Sequence, residues 1–376
     1  MIYFDNAATT KPSGEVCRAV MKGLECFGNP SSLHKLGVEA EKLVTEAREN
    51  IALALGVTED EIYFTSGATE SSNTAIIGAV KKLGKRKKRI VVSSVEHPSV
   101  AEPCTKLEQA GYEVVRISPD EKGEISADSI VSSVNEDTII VSCMLVNNEN
   151  GYILPVEKAF AAIKRKYPNV LTHCDCVQGF MKLPIKAKNL HADFISLSGH
   201  KIHGPKGIGA LYVKKDVKIP SLVYGGGQEK AFRSGTESVP LICGFGEAVA
   251  ELKDSISQRF EYVKGLQTYL FEQCIENGIH INSSENSSPY VNSIAVENLK
   301  SEVLLHFLES REIYVSSGSA CSKGRKSNVI KEFGISEQYA DSTIRVSFCS
   351  DNTKDEIDEF IAALNDARKK LCGIKH

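Results

Sequence analysis

The sequence contains no apolar run of the roughly 18–20 residues that a membrane-spanning helix requires. Its N-terminus, MIYFDNAATT, lacks the basic start and apolar core of an export signal, so none is predicted. The 376 residues include 45 Lys and Arg against 48 Asp and Glu, a net charge of −3. We therefore expect neither a nucleic acid nor a membrane as a partner. The one strongly basic run, KKLGKRKKR (81–89), is interpreted as a solvated helix end, with a docking patch for an acidic partner as the alternative.

The sequence also lacks the cysteine spacing of a disulfide framework. Its eleven cysteines are an odd number, and none belongs to a CxxC pair. In a chain of this length we expect reduced thiols, and the predicted compartment is therefore cytoplasmic. Most of these cysteines are expected to be small, buried apolar residues.

The sequence does contain a regular alternation of apolar strands and amphipathic helices. Seven apolar segments lie between residues 61 and 213: EIYFTS, RIVVSS, EVVRIS, TIIVSCML, NVLTHCD, DFISLS and GALYV. The pattern predicts an α/β fold with a mainly parallel, seven-stranded sheet between helices. A long helical pattern at about 238–275 leads into a weaker α+β region. We predict a large domain, 13–254, and a smaller α+β domain, 1–12 with 255–376.

Polar residues follow five of these strands at their carboxyl ends, the edge where ligands bind in such sheets. The first polar segment, SGATE (66–70), breaks at Gly67 into a helix. The free N–H groups of a helix N-terminus, together with the Thr69 hydroxyl, make a seat for a phosphate. The alternative is that Ser66, Gly67 and Thr69 only cap the helix.

Asp175 and Gln178 follow the strand NVLTHC. A carboxylate at the end of a buried strand requires a cationic partner, and the protonated nitrogen of a pyridine ring is one candidate. Gln178 is placed to bind an adjacent ring substituent. A metal site at His173–Cys176 is the alternative, but strand residues alternate between opposite faces, which argues against it. No metal is predicted.

The segment SLSGHKIHGPKGIGALYV (196–213) contains two lysines. Lys201 directly follows its strand and faces the same edge, where a partly deprotonated amine forms a Schiff base. Lys206 lies in the return turn and is expected to support it. His97 of VEHPS is placed to stack on a flat cofactor and to carry protons. A phosphate seat, an acid, a stacking histidine and an imine-forming lysine together predict a pyridoxal 5'-phosphate site.

The same residues lie in motifs that resemble a known family. These include YFDNAATT, FGNPSSLH, IYFTSGATESSN, VEHPS, VNNENG, SGHKIHGPKGIGALYV, GGGQEKAFRSGTE, SSGSACS and STIRVS, between residues 3 and 347. The sequence resembles class V aminotransferase-fold enzymes, specifically cysteine desulfurases of the nitrogen-fixation and iron–sulfur-cluster type. The resemblance implies the fold of pyridoxal-phosphate-dependent transferases of fold type I.

The resemblance also implies residue roles. Lys201 binds pyridoxal phosphate covalently, His97 stacks and shuttles protons, and Asp175 pairs with the ring nitrogen. Gln178 and Asn148 bind the ring oxygen, and Asn148 is also expected at the substrate beside Arg345. Arg345 clamps the substrate carboxylate, which suits its bidentate guanidinium. The residues implied at the phosphate are Ala68, Thr69, Ser198, His200 and, from the neighbouring subunit, Thr236.

Cys321 lies in SSGSACSKGRKSN, a stretch whose Gly, Ser and Lys content predicts a loop. Three cationic residues close by favour a thiolate. The resemblance implies that Cys321 takes sulfur from L-cysteine as a persulfide, leaves L-alanine, and passes the sulfur to an acceptor protein of iron–sulfur cluster assembly, another thio-cofactor or tRNA thiolation. A homodimer is implied because Thr236 acts across a subunit boundary. The alternatives are a selenocysteine lyase, another class V aminotransferase-family enzyme, or a non-catalytic homologue.

Overall fold

The computed structural model describes residues 1–284, 286–317, 320–321, 325–326 and 329–371. The strands in this part of the chain are β1 (Ile2–Tyr3), β2 (Ile62–Thr65), β3 (Arg89–Ser93), β4 (Glu113–Ile117), β5 (Thr138–Met144), β6 (Leu171–Asp175), β7 (Phe194–Ser198), β8 (Gly209–Val213), β9 (His280–Ile281), β10 (Asn292–Ala295), β11 (Ile313–Tyr314), β12 (Ser316–Ser317), β13 (Ala320–Cys321), β14 (Arg325–Lys326) and β15 (Thr343–Val346).

The α-helices of the same ranges alternate with these strands. They are α1 (Gly14–Glu25), α2 (Lys35–Leu55), α3 (Ala68–Leu83), α4 (Pro98–Gln109), α5 (Ala127–Ser132), α6 (Val156–Lys166), α7 (Ala187–Leu190), α8 (Val239–Leu252), α9 (Ile256–Glu276), α10 (Ser301–Glu309), α11 (Val329–Glu332), α12 (Glu337–Ala340) and α13 (Lys354–Leu371). Within the described residues, no helix combines the length and apolarity needed to cross a membrane.

The large sheet has seven strands in the order β2-β8-β7-β6-β5-β3-β4. Only β8 runs antiparallel to its neighbours β2 and β7, and the other pairs are parallel. Strands β5, β6, β7 and β8 are buried along their whole length. They read as continuous apolar runs because helices cover both faces of a parallel sheet. The predicted mainly parallel α/β fold is confirmed.

The smaller sheet has the order β12-β15-β10-β9, and β1 pairs with β11 beside it. Its core contains Phe4, whose ring meets Phe348 and Phe360 edge-on at centroid distances of 5.1 and 5.6 Å. The N-terminal strand therefore packs with residues beyond 255, in a core that also takes the buried face of α9. The boundaries 13–254 and 1–12 with 255–376 stay a prediction.

Two expectations about local structure were wrong in detail. The helical pattern at 238–275 forms two helices, because α8 buries its apolar side chains in the core of the large sheet and α9 in the smaller core. At the break, Arg259 donates to the carbonyl of Leu252 at 2.9 Å and so satisfies the C-terminus of α8. The stretch predicted as a loop around Cys321 contains the two-residue strands β12, β13 and β14.

A buried ion pair holds the segment 223–236 against β2. Arg48 of α2 binds both carboxylate oxygens of Glu229, at 2.8 and 2.7 Å, and the N–H of Phe64 donates to the same carboxylate at 2.8 Å. Glu229, Lys230 and Ala231 have φ values of 49°, 57° and 61°. These left-handed conformations are costly for residues other than glycine, so the ion pair offsets local strain.

We expect Glu229→Ala to lower the free energy of unfolding by about 3–5 kcal/mol, because it leaves the Arg48 charge buried and unpaired. Urea denaturation measures the change. The matched control is Glu108→Ala, which removes an exposed ion pair with Arg116 and is expected to change stability little. Equal losses in the two variants would contradict the structural role of the buried pair.

Candidate active site

The carboxyl edge of the large sheet borders a cavity of about 780 Å³. The ends of β2, β3, β5, β6 and β7 all reach it. The structure brings together most of the predicted site residues in its lining: Ala68, Thr69, His97, Asn148, Asp175, Gln178, Ser198, His200, Lys201 and Arg345.

Two further predicted residues, Thr236 and Cys321, are not among the residues described in the lining of this cavity. Thr236 is exposed and lines a neighbouring cavity of about 300 Å³, which shares Ser66 and Gly207 with the first. The backbone of Cys321 lies in β13, which pairs antiparallel with β14, while its side chain lies outside the described part of the structure.

Lys201 closes a short 3₁₀ turn (Gly199–Lys201) directly after β7. Its Nζ donates to the carbonyl oxygens of Ala7 at 2.6 Å and Ala8 at 2.7 Å. Burial, and next the positive charge of Arg345, lower the pKa of Lys201 to about 8. About a tenth of the amine is therefore neutral near pH 7, and the neutral amine is the form that attacks a carbonyl. Lys206 also lines the cavity, but its side chain is exposed in the following turn.

Asp175 is the last residue of β6 and is buried. Its Oδ1 accepts from the N–H of Val177 at 2.9 Å, and within the described residues no group donates to its Oδ2. Burial raises the pKa of Asp175 to about 6, although Val177 and Lys201 oppose the shift. The carboxylate is thus poised to accept a cationic N–H from the cavity.

Strand alternation places His173 and Asp175 on one face of β6 and Cys174 on the other. The thiols of Cys174 and Cys176 lie 3.4 Å apart and are buried. His173 lies instead between the hydroxyls of Ser142, at 2.7 Å, and Ser196, at 2.9 Å. As predicted, the two cysteines are therefore separated from His173 and Asp175. A metal site at His173–Cys176 would require these side chains to lie together.

His97 caps the N-terminus of α4. The backbone N–H of Ser99 donates to its Nδ1 at 3.1 Å, so the proton of the neutral ring is assigned to Nε2. Although the residue is exposed at the cavity wall, desolvation by the surrounding protein, and then Lys201, lower the pKa of His97 to about 4. A neutral imidazole at neutral pH both donates and accepts protons.

The N-terminus of α3 opens onto the cavity without a side-chain cap. Its N-cap is Gly67 at φ 154°, and no side chain bonds the first helical N–H groups in the described structure. The reading that Ser66, Gly67 and Thr69 only cap the helix is thus not supported. Glu70 bonds the N–H of Ser66 at 2.7 Å and pairs with Arg233, which holds the turn in place. The helix end is a seat for an anion.

Arg345 lies on β15 and reaches the cavity from the smaller sheet. Its guanidinium donates to Asp5 Oδ1 at 2.9 Å, to Ser316 Oγ at 3.1 Å and to the carbonyl of Asn148 at 2.9 Å. Its Nε is buried and has no partner among the described residues. A guanidinium with an unused donor is suited to a carboxylate ligand.

Sequence reasoning missed several residues of this site. Ala7 and Ala8 act through backbone carbonyls, and only their place in the DNAATT motif pointed to them. Lys182 donates to Gln178 Oε1 at 3.0 Å, and its spacing of four residues from Gln178 was the available signal. Glu96 is buried and accepts from the N–H of Met144 at 2.6 Å. Burial raises the pKa of Glu96 to about 8, so this carboxyl is largely neutral at pH 7.

Comparison with known proteins agrees with this geometry. The family model for aminotransferase class-V matches residues 2–360. A NifS/IcsS protein homolog of Lactobacillus delbrueckii subsp. bulgaricus is 39% identical over 100% of this chain and 99% of its own. The cysteine desulfurase IscS of Methanosarcina thermophila is 36% identical over 98% of this chain and 92% of its own. A solved NifS-like protein has a TM-score of 0.92 at 35% identity, covering 97% of this chain and 98% of that one.

Fold and cavity together define an α/β protein with the fold-type-I architecture of pyridoxal-phosphate enzymes. The chain belongs to the class V aminotransferase family. The resemblance inferred from the motifs is therefore confirmed.

The lowered pKa of Lys201 has a measurable consequence. In reductive methylation of the cofactor-free protein followed by peptide mass spectrometry, we expect modification of Lys201 to reach half its maximum near pH 8, because only the neutral amine reacts. Exposed lysines serve as the internal control, since an ordinary lysine titrates at about 10.4. Modification of Lys201 that follows the exposed lysines at every pH would contradict the effect of burial.

Proposed function

We propose that this chain is a pyridoxal 5'-phosphate-dependent cysteine desulfurase that converts L-cysteine to L-alanine and transfers the sulfur to Cys321. The observation that carries the proposal is a partly buried lysine of lowered pKa in one cavity with Asp175 and Arg345. Relatives named as cysteine desulfurases align with almost the whole chain, which supports the same activity here.

The residues of the cavity fit pyridoxal phosphate. The uncapped N-terminus of α3 is suited to its phosphate, with Ser198 and His200 beside it in the cavity lining. Asp175 has an oxygen directed at no donor of the described protein, which suits a protonated ring nitrogen. Lys201 would hold the group covalently through its amine. Gln178 and Asn148 line the same cavity and are assigned to the ring oxygen.

When bound, the cofactor supplies an electron sink that weakens bonds at the α-carbon of an attached amino acid. Lys201 and His97 are the groups that move protons, since Lys201 is partly neutral and the Nε2 of His97 carries a proton toward the cavity. Arg345 orients the substrate carboxylate, assisted by Asn148. Asp5 and Ser316 already hold its guanidinium in place before substrate arrives.

Cys321 is the proposed sulfur acceptor. Its thiolate attacks the sulfur of L-cysteine, an S–S bond forms as the C–S bond breaks, and a proton completes the methyl group of L-alanine. The balance closes with one persulfide and one alanine, so no further oxidant or reductant is needed. Ser316 contacts Arg345 and lies five residues before Cys321. Five residues of extended chain span at most about 18 Å.

A homodimer accompanies this proposal. Met21, Leu24, Phe27 and Leu33, all within residues 21–33, are exposed by 55%, 56%, 80% and 98%, and exposed apolar side chains of this kind are suited to a second copy of the chain. Thr236 is exposed at the border of the cavity and is assigned to the phosphate of the partner subunit.

An acceptor protein that receives the sulfur, for iron–sulfur clusters or another thio-cofactor or tRNA, is expected, and the cytoplasm stays the predicted compartment.

The lysine assignment is tested by colour. Lys201→Ala is expected to lose both activity and the visible absorbance of the bound cofactor, since no other amine takes its position at the end of β7. Lys206→Ala is expected to keep the absorbance because that side chain is exposed in the turn. A wild-type protein that stays colourless after incubation with pyridoxal phosphate would contradict the enzyme proposal.

The nucleophile is tested by product analysis. After addition of L-cysteine we expect wild-type protein to release alanine and, with a reductant, sulfide in equal amounts. Cys321→Ala is expected to lose at least about 99% of this turnover while the cofactor absorbance persists. The matched control is Cys17→Ala, since Cys17 is an exposed free thiol of α1 that does not line the cavity. Full turnover by Cys321→Ala would favour the alternatives, a selenocysteine lyase or another enzyme of the family.

A further inference from the structure

Lys182 is a buried lysine that none of the chemistry above uses. It is 7% exposed and lies four residues after Gln178, in the turn that follows β6. Its Nζ donates to Gln178 Oε1 at 3.0 Å and lies 5.7 Å from the centre of the Tyr290 ring. Lysine is seldom buried to this degree without a specific partner.

The position of Lys182 is electrostatically unfavourable. Lys201 and Arg345 are the nearby cations that oppose its charge, and Cys349 is the group that favours it. Burial, and next Lys201, lower the pKa of Lys182 to about 7. A cation held here costs folding free energy, so its contact with Gln178 is more simply explained by function than by stability.

The contact determines which way the Gln178 amide points. In its charged form Lys182 has only donors, so the atom it then contacts is the carbonyl oxygen Oε1. On the other side, Nε2 donates to the carbonyl oxygen of Ala7 at 2.9 Å. Both partners require the same orientation of the amide. The second N–H of Nε2 is then left for a ligand in the cavity that Gln178 lines.

Of the two contacts, only the one with Lys182 is independent of the reacting amine. The carbonyl of Ala7 also accepts from Lys201 at 2.6 Å, and that bond must change when Lys201 is used to hold a cofactor. Lys182 instead contacts Gln178 while lying outside the lining of the large cavity. It can therefore hold the amide whether or not Lys201 is engaged.

We propose that Lys182 is a positioning residue, which holds the Gln178 amide so that an N–H, and not the carbonyl oxygen, faces the ring oxygen of pyridoxal phosphate. The inference rests on the proposed cofactor assignment. A donor at this place favours the anionic form of the ring oxygen, and an inverted amide would oppose it with a carbonyl dipole.

The experiment is a pH titration of the visible absorbance of the full-length, cofactor-loaded protein. In Lys182→Met we expect the titration midpoint to rise by about one pH unit, because the Gln178 amide is no longer held with its donor toward the ring oxygen, which favours proton binding at the cofactor. The matched control is Lys164→Met, which removes a partly buried lysine bound to Asp193 away from the cavity. It is expected to leave the midpoint unchanged.

A double-mutant cycle with Gln178→Ala separates positioning from a direct effect of charge. If Lys182 acts through Gln178, Lys182→Met produces little further shift in the Gln178→Ala background. An equal shift in both backgrounds would show a lysine that acts by its charge alone and would overturn the proposal. An unshifted midpoint in Lys182→Met would overturn it as well.

Lys182→Leu provides a second variant if Lys182→Met does not fold. Its side chain also lacks a donor, so we expect a similar upward shift, and no shift would overturn the proposal. Failure of the underlying function has a different signature. Wild-type protein without a visible band contradicts the cofactor assignment and this inference together, whereas a normal wild-type band with unshifted variants contradicts only the role of Lys182.

Discussion

The site depends on the contact between the Lys201 amine and the carbonyls of Ala7 and Ala8. These residues lie almost 200 positions apart in the sequence. Thr10 extends the contact, because its N–H and hydroxyl both bond the carbonyl of His200 at 2.9 Å. A few residues earlier, Phe4 is buried among the aromatic rings of the smaller core. The N-terminal segment therefore connects the smaller core to the edge of the large sheet, and the cavity exists between them.

Desolvation at this cavity determines the protonation of its groups. It lowers the pKa of Lys201 to about 8 and that of His97 to about 4, and it raises the pKa of Asp175 to about 6. Near neutral pH the site therefore combines a partly neutral amine, a neutral imidazole and a mostly charged carboxylate. These are the states that covalent attachment, proton transfer and pairing with a ring nitrogen require. Arg345 and Asp5 form an ion pair where the smaller sheet meets the cavity.

Much of the fold could be predicted because its signals are local. Apolar runs such as TIIVSCM indicate strands buried on both faces, and Gly67 before a polar helix start indicates an open N-terminus. Asp175 and Lys201 were found because each follows such a strand directly. The break between α8 and α9 could not be found in this way, because both helices are amphipathic and only the change from one core to the other separates them.

The sequence by itself determined the order of strands and helices, the polar residues at the strand ends and, through its motifs, the family. Tertiary structure alone decided which distant groups meet: Ala7 with Lys201, Asp5 and Ser316 with Arg345, and Lys182 with the far side of Gln178. The physical reason is that hydrophobic periodicity reports only whether a residue is buried. A hydrogen bond or a pKa shift depends on distance and direction between atoms, which arise only when the whole chain is packed.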